Sequence, residues 1–449
     1  MEAAAAAEEE EEEAVWAWSW GAGTDGQLGN GGFQDHHLPQ PLLLPPRCRG
    51  LVSFVAGGGA HAIALTSDGE VFTWGRGTHG QLGHGDVENI PHPKLVKFFE
   101  NYMITCVSAG WNHSGFATDS GQLFMCGDGS FGQLGAGDNH PRNLPFEVAY
   151  FTTKHVVRLA LGMRHSLVLL KDNSVYGFGS TRRGQIGRCT RNQKFYDVPR
   201  IIDGFPDCKI GNIYANGDHS AALDESGQLY IWGRALIGEH DDDQPRPVFP
   251  SLGISQVALG WHHALVLSGM WCVVPFQLKY VFWNCCQMSK HSAVTAGELY
   301  TIGAYRHRKL DPHVLPSAEP VQRLNPATTS HSHDESSSSS TLVKVPCVDG
   351  EQVVHIAAGT EHSASVTDKG TVFTWGWGEH GQLGLGDTCD QVTPQRVNIG
   401  DKRPCSSASV NVYCGSGFTI ALDVPATCYD LDVDADGNTN WIRSRVNFA

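Results

Sequence analysis

Positive charge is scarce in this chain: 32 Lys and Arg stand against 47 Asp and Glu, a formal net charge of -15. Nucleic-acid affinity depends on Lys and Arg neutralising phosphates, so no nucleic-acid partner is expected. Long apolar runs are missing too. A membrane helix needs about 20 apolar residues in a row, and the stretch from Trp271 to Trp283 is interrupted by Gln277 and Lys279, so no membrane partner is expected. The 13 cysteines never form a Cys-x-x-Cys, which argues for a reduced cytoplasmic or nuclear protein over a secreted disulfide scaffold. Met1 to Ala14 lacks the apolar core of a signal peptide and reads as a disordered acidic tail. Its Glu8 to Glu13 run supplies six of the negative charges, leaving about -9 for the body.

What the chain has is repetition. Val71-Phe72-Thr73-Trp74-Gly75 leads into Gly80-Gln81-Leu82-Gly83, and Val372-Phe373-Thr374-Trp375-Gly376 leads into Gly381-Gln382-Leu383-Gly384. The apolar strand ending in glycine recurs at Gly21, Gly75, Gly127, Gly179, Gly233, Gly303 and Gly376. The period is roughly 52 to 54 residues and lengthens to roughly 70 in the last two gaps. A second marker, Gly/Asn-x-x-His, ends at His61, His113, His165, His219, His263 and His362, with Gly415-Ser416-Gly417-Phe418 in the seventh place. Each unit reads as short strands between Gly and Asp turns, with no helical period, and the 52 glycines suit turn-dense β structure. Radially repeated blades of this kind predict an all-β, seven-bladed propeller over residues 15–422, between the tails 1–14 and 423–449.

Two segments depart from the period. Residues 269–296 form an atypical insertion in the fifth unit, read as retained non-coding sequence, and 326–342 form a serine-rich loop on the sixth blade. The fifth unit also replaces Gly-Gln-Leu-Gly with Arg234-Ala235-Leu236-Ile237-Gly238. The candidate ligands are weak. His331 and His333 have no third ligand at a defined spacing, and Asp432-Val433-Asp434-Ala435-Asp436-Gly437 matches half a calcium loop but has Arg443 where a bidentate glutamate is required. No metal or cofactor is expected. Gly75-Arg76-Gly77-Thr78-His79-Gly80 fits Gly-x-Gly-x-x-Gly, yet no helix follows to supply an anion site. The recurring histidines read as structural, each hydrogen-bonding backbone within its own blade. The recurring Trp20, Trp74, Trp232 and Trp375 read as packing between blades.

The string Trp-Gly-x-Gly-x-x-Gly-Gln-Leu-Gly-x-Gly-Asp, followed by Val-x-Ala-Gly-x-x-His-Ser, resembles the repeat of the regulator of chromosome condensation superfamily, whose seven units build a propeller. Gly110-Trp111-Asn112-His113, Cys126 to Gly135 and Leu161 to His165 look most like its secretion-regulating exchange-factor branch. That resemblance implies guanine nucleotide exchange on a small GTPase gripped by one face of a monomeric propeller, with His79, Asp128, Arg182 and Arg183 as partner contacts. The alternative is an adaptor without exchange activity. A plant branch of the superfamily senses ultraviolet-B light through clustered tryptophans. Here the corresponding places hold Gly59, Trp111, Met163, Gly217, Trp261, Thr360 and Ser416, and Trp111 and Trp261, three blades apart, are expected to be too distant to couple.

Overall fold

The computed structural model describes residues 17–45, 52–188, 193–237, 240–269, 297–303, 342–346, 350–400, 409–424, 431–433 and 439–441. Seven four-stranded antiparallel sheets dominate it, numbered here as blades 1 to 7. In blade 2 the strands Val52–Gly57, His61–Thr66, Val71–Gly75 and Ile90–Leu95 lie side by side in chain order. The second and third strands are buried along their whole length, because blades on either side cover both faces. That is why these strands read as continuous apolar runs instead of alternating ones. The first strands of all seven blades line a central channel enclosing about 240 Å³.

Blade 1 closes the ring. Its sheet runs His36–Pro41, Ala17–Gly21, Phe418–Val424, Ser409–Cys414, so strands from both ends of the chain share one ladder, with Trp18 opposite Ala421 and Gly21 opposite Phe418. Each sequence unit therefore straddles two blades: His61 pairs with Gly75, not with the Gly21 that precedes it. This frame shift corrects the placement of the insertion. Its flanks, His263–Ser268 and Leu299–Gly303, belong to blade 6 and not to the fifth. Ser268 N–H donates to Glu298 O at 2.9 Å, the bond that closes the same turn in blade 3 from Thr118 to Gln122 at 3.0 Å. Residues 270–296, residues 326–341 of the serine-rich loop and the half calcium loop's Asp434 and Asp436 lie outside the described residues.

Three rings of contacts join the blades. Around the channel, Gly59, Trp111, Met163, Trp261, Thr360 and Ser416 each donate a backbone N–H to a carbonyl of the next blade, at 2.8 to 3.3 Å. At the outer rim, Gly31, Gly85, Gly137 and Gly386 donate to the next blade's fourth strand at 2.8 or 2.9 Å. Between these rings lie the recurring histidines, and here the within-blade expectation is wrong. His61, His113, His165 and His263 place Nε2 2.9 to 3.0 Å from Ser114, Ser166, Ser220 and Ser363 of the next blade, and His362 lies 3.0 Å from Thr419. Ser114, Ser166, Ser220 and Thr419 pass their own proton back to the carbonyls of Gln81, Gln133, Gln185 and Gln382 at 2.7 to 2.9 Å. With the hydroxyl proton committed, the imidazole must donate from Nε2, which fixes the tautomer.

The glycine before each of these histidines has a steric cause. A Cβ on Gly58, Gly110, Gly162, Gly260 or Gly359 would come within 2.2 to 2.5 Å of the imidazole Cε1. Blade 5 has Asn216 at that place, so His219 turns away and stands 2.9 Å from Arg234 O and 2.8 Å from Trp261 O. It is the one recurring histidine whose side chain is seen to reach a carbonyl of its own blade, and it bridges the only seam the inner ring skips. Where blade 1 has Phe418 in place of histidine, blade 2 has Ala62 in place of serine, so neither group is left unpartnered. Trp20, Trp74 and Trp232 donate Nε1–H to the Gln382, Gln27 and Gln185 carbonyls of the preceding blade at 2.9 to 3.0 Å.

Burial holds these imidazoles neutral, lowering His61, His165 and His263 to about 3 and His113 and His362 to about 4. The unfolded chain protonates near 6.5, so from pH 6.5 down to about 4 or 3 it binds protons that the fold refuses, and stability falls as pH falls. At pH 5 each site is expected to lose about 2 kcal/mol relative to pH 7. Circular dichroism across an acid titration should show cooperative unfolding beginning above pH 5, before most carboxylates titrate; a propeller intact at pH 4 would contradict this. Because the blade 6 turn bond forms across the insertion, a chain lacking residues 270–296 is expected to melt at the same temperature as the full chain or higher. A fall of more than about 5 °C, on the order of 4 kcal/mol for a propeller of roughly 400 residues, would mean that the insertion packs into the blade.

Candidate partner-binding face

The connection from first to second strand and the connection from third to fourth emerge on the same face of every blade. They are stitched together there: Arg76 N–H donates to Ala60 O at 2.8 Å, Asp128 to Asn112 O at 2.8 Å, Ser180 to Arg164 O at 2.8 Å and Trp377 to Glu361 O at 2.9 Å. The short turns and the one-turn helices Lys97–Phe99 and Ala149–Phe151 occupy the other face. His79, Asp128, Arg182 and Arg183, drawn from three consecutive blades, thus share one face, which sequence could not establish.

The four are not equivalent. His79 and Arg182 are exposed. Asp128 is spent on its own loop, accepting from Ser130 N–H at 2.9 Å, Ser130 Oγ at 2.6 Å and Gln133 Nε2 at 3.1 Å. Arg183 reaches across the seam to Asp241 at 2.9 Å. Another seam is held the same way, by Arg76 and Asp25 at 2.6 Å, where the histidine and serine are missing. Sequence reading passed over Arg188 and Lys194, exposed cations on the same loop as Arg182. The signal was present, since no acidic residue occurs from Ser180 to Tyr196.

At the hub of this face the seven inner connections converge, and a second correction follows. Trp111 and Trp261 stand with ring centroids 5.7 Å apart, tilted by 42°. Blades three apart around the rim face each other across a hub only a few residues wide, so counting blades overstated the separation. Gly217 makes the room, because its Cβ would lie 2.4 Å from Trp261 Cδ1. Arg164, the only arginine among the hub positions, lies over Phe131 at 4.4 Å. Among the described residues, no three His, Cys, Asp or Glu side chains gather into a metal-binding group, and no described helix is long and apolar enough to cross a membrane.

Residues 16–421 match the RCC1-like domain family. The chain belongs to that family. This RCC1-like propeller is 28% identical over 438 residues to the mouse secretion-regulating guanine nucleotide exchange factor, covering 92% of this chain and 85% of the relative. It is 27% identical over 395 residues to the ultraviolet-B receptor UVR8 of Arabidopsis thaliana, covering 85% and 76%. Among solved structures, Prp20p from Saccharomyces cerevisiae, described with its binding to Gsp1p and histones, aligns with a TM-score of 0.68 at 22% identity over 93% of both chains. That likeness establishes the seven-bladed fold.

The tryptophan pair of the RCC1-like propeller has an optical consequence. Two indoles this close couple their transitions, so the folded protein is expected to show a paired positive and negative near-ultraviolet circular dichroism signal that Trp111→Phe removes while the far-ultraviolet spectrum stays unchanged. A signal that survives the substitution would rule out the contact.

Proposed function

We propose that this propeller is a protein-recognition module whose loop face binds a small GTPase and regulates its nucleotide state. The observation that carries the reading is one rigid face presenting exposed polar side chains from adjacent blades around an aromatic hub, on a chain that resembles an exchange factor along nearly its whole length. Exchange requires no covalent chemistry. A face that binds the nucleotide-free GTPase more tightly than the loaded form shifts the GTPase toward release by that difference in affinity alone. In this reading His79 and Arg182 touch the partner, while Asp128 and Arg183 set the shape of the loops.

The second reading is an adaptor that binds a partner without accelerating release. One observation favours it: Asp128 and Arg183 are already engaged within the propeller, which leaves fewer free charges to compete with phosphate or Mg²⁺ contacts. Release of a fluorescent guanine nucleotide from a panel of small GTPases, with substoichiometric propeller, separates the two. Exchange is expected to be accelerated on one GTPase, and the His79→Ala, Arg182→Ala double variant to lose about tenfold or more, equivalent to about 1.4 kcal/mol. A stable complex with unchanged release would favour the adaptor. Absence of any complex across the panel would overturn the GTPase reading.

A further inference from the structure

The loop between the third and fourth strands of blade 4 carries five cations, Arg182, Arg183, Arg188, Arg191 and Lys194, in a chain of net charge -15. Arg182, Arg183, Arg188 and Lys194 are exposed. The loop is tied at its base, where Thr181 N–H donates to Lys194 O at 3.1 Å and Thr181 Oγ1 to Gln193 O at 2.5 Å, so the cations project from a fixed platform. Beside them, toward the hub, lies the Arg164 guanidinium on the Phe131 ring.

The fold does not call for these cations. In five blades the residue before Gly-Gln donates its backbone N–H to the glutamine Oε1 at 2.8 to 2.9 Å: Asp25, His79, Phe131, Arg183 and His380. An acid, an aromatic, two histidines and an arginine all serve in that turn, and while Arg183 pairs with Asp241, the side chains of Arg182, Arg188 and Lys194 make no hydrogen bond or ion pair with the described residues. Acidic residues flank the cationic sector on both sides: Asp138 on blade 3, paired with Arg142, and on blade 5 Asp241, Asp242 and Asp243, the first two paired with Arg183 and Arg246. An anion that fits must be about one blade wide. A nucleic acid carries its charge continuously along its length and would overlie the flanking carboxylates, whereas a short acidic protein segment would not.

We propose that the blade 4 loop is a docking site for a short Asp/Glu-rich segment of a protein partner, with Arg182 and Arg188 as the principal contacts and Arg183 recruited from its pair with Asp241. Arginine suits this work because its planar guanidinium presents paired donors to a carboxylate. The inference rests on the loop face being the binding face and names the chemistry of what it binds.

The test uses the full chain and a fluorescein-labelled octapeptide of alternating Asp and Glu, followed by anisotropy. Binding is expected to weaken by about tenfold between about 50 mM and about 300 mM salt. The Arg182→Glu, Arg188→Glu variant should lose about tenfold or more, Arg182→Gln a smaller part, and Asp241→Asn should tighten binding by freeing Arg183. Both arginines are exposed, so melting temperature should not change, and thermal melts of each variant check this. Failure of the peptide to bind, or binding indifferent to both arginine variants, would overturn the proposal. Tighter binding of an eight-nucleotide single strand to the same arginines would overturn it in favour of nucleic acid. Binding to GTPases is read separately: peptide binding that persists when no GTPase of the panel forms a complex would sink only the GTPase reading, and a GTPase complex that forms when the peptide does not bind would sink only the docking site.

Discussion

A blade whose two faces are both apolar cannot stand alone, and everything else in this molecule follows from that. Strands such as His113–Thr118 and Leu123–Gly127 are buried throughout only because a blade covers each side. Seven wedges satisfy the condition only as a closed ring, which is why the strand Ala17–Gly21 pairs with Phe418–Val424 across the whole length of the chain. Closure converts a set of individually unstable sheets into a single cooperative body.

Burial alone would leave the seams free to slip, since apolar contact is not directional. The polar rings supply register. A histidine, a hydroxyl and a glutamine carbonyl meet at a buried point of the seam, and each has a single geometry that satisfies it. The exceptions show the coupling between positions: Asn216 displaces His219, which then takes over the backbone link missing at that seam, and Phe418 coincides with Ala62. Arg76 and Asp25 reinforce the seam that lacks the buried clasp. A change at one residue was tolerated where its partner across the seam changed with it.

The number of blades and the residues that build them were legible because Trp-Gly, Gly-Gln-Leu-Gly and Gly-x-x-His recur at a fixed interval. The frame was not. A linear repeat begins wherever the chain begins, whereas a blade begins wherever the ring is cut, and only pairing such as His61 with Gly75 reveals the two-strand offset. The partner of each clasp histidine was hidden for the same reason, lying 53 to 57 residues ahead in the next blade, or 100 where the insertion intervenes. The Trp111–Trp261 contact was hidden because distance around the rim and distance across the hub diverge. Of the face residues, Asp128 and Arg183 could not be told from His79 and Arg182 in sequence, since internal bonding leaves no mark on composition.

Function is hard to read in this fold for a reason that lies in its construction. The loops of the exposed face hold their shape through backbone N–H groups and the buried glutamine side chain, as at Asp25, His79, Phe131, Arg183 and His380. The backbone turn sets no demand on the side chains beside those groups, so they vary from blade to blade within a single chain, some joining a seam, as Asp25 with Arg76 and Arg183 with Asp241, and others exposed, as His79 and Arg182. The same freedom lets one scaffold serve unrelated partners across a family. It also means that a departure from the surrounding charge, such as five cations on one loop of an acidic propeller, is only partly absorbed by the structure, through Arg183 and Asp241, and the rest of its explanation must be sought in what the face meets.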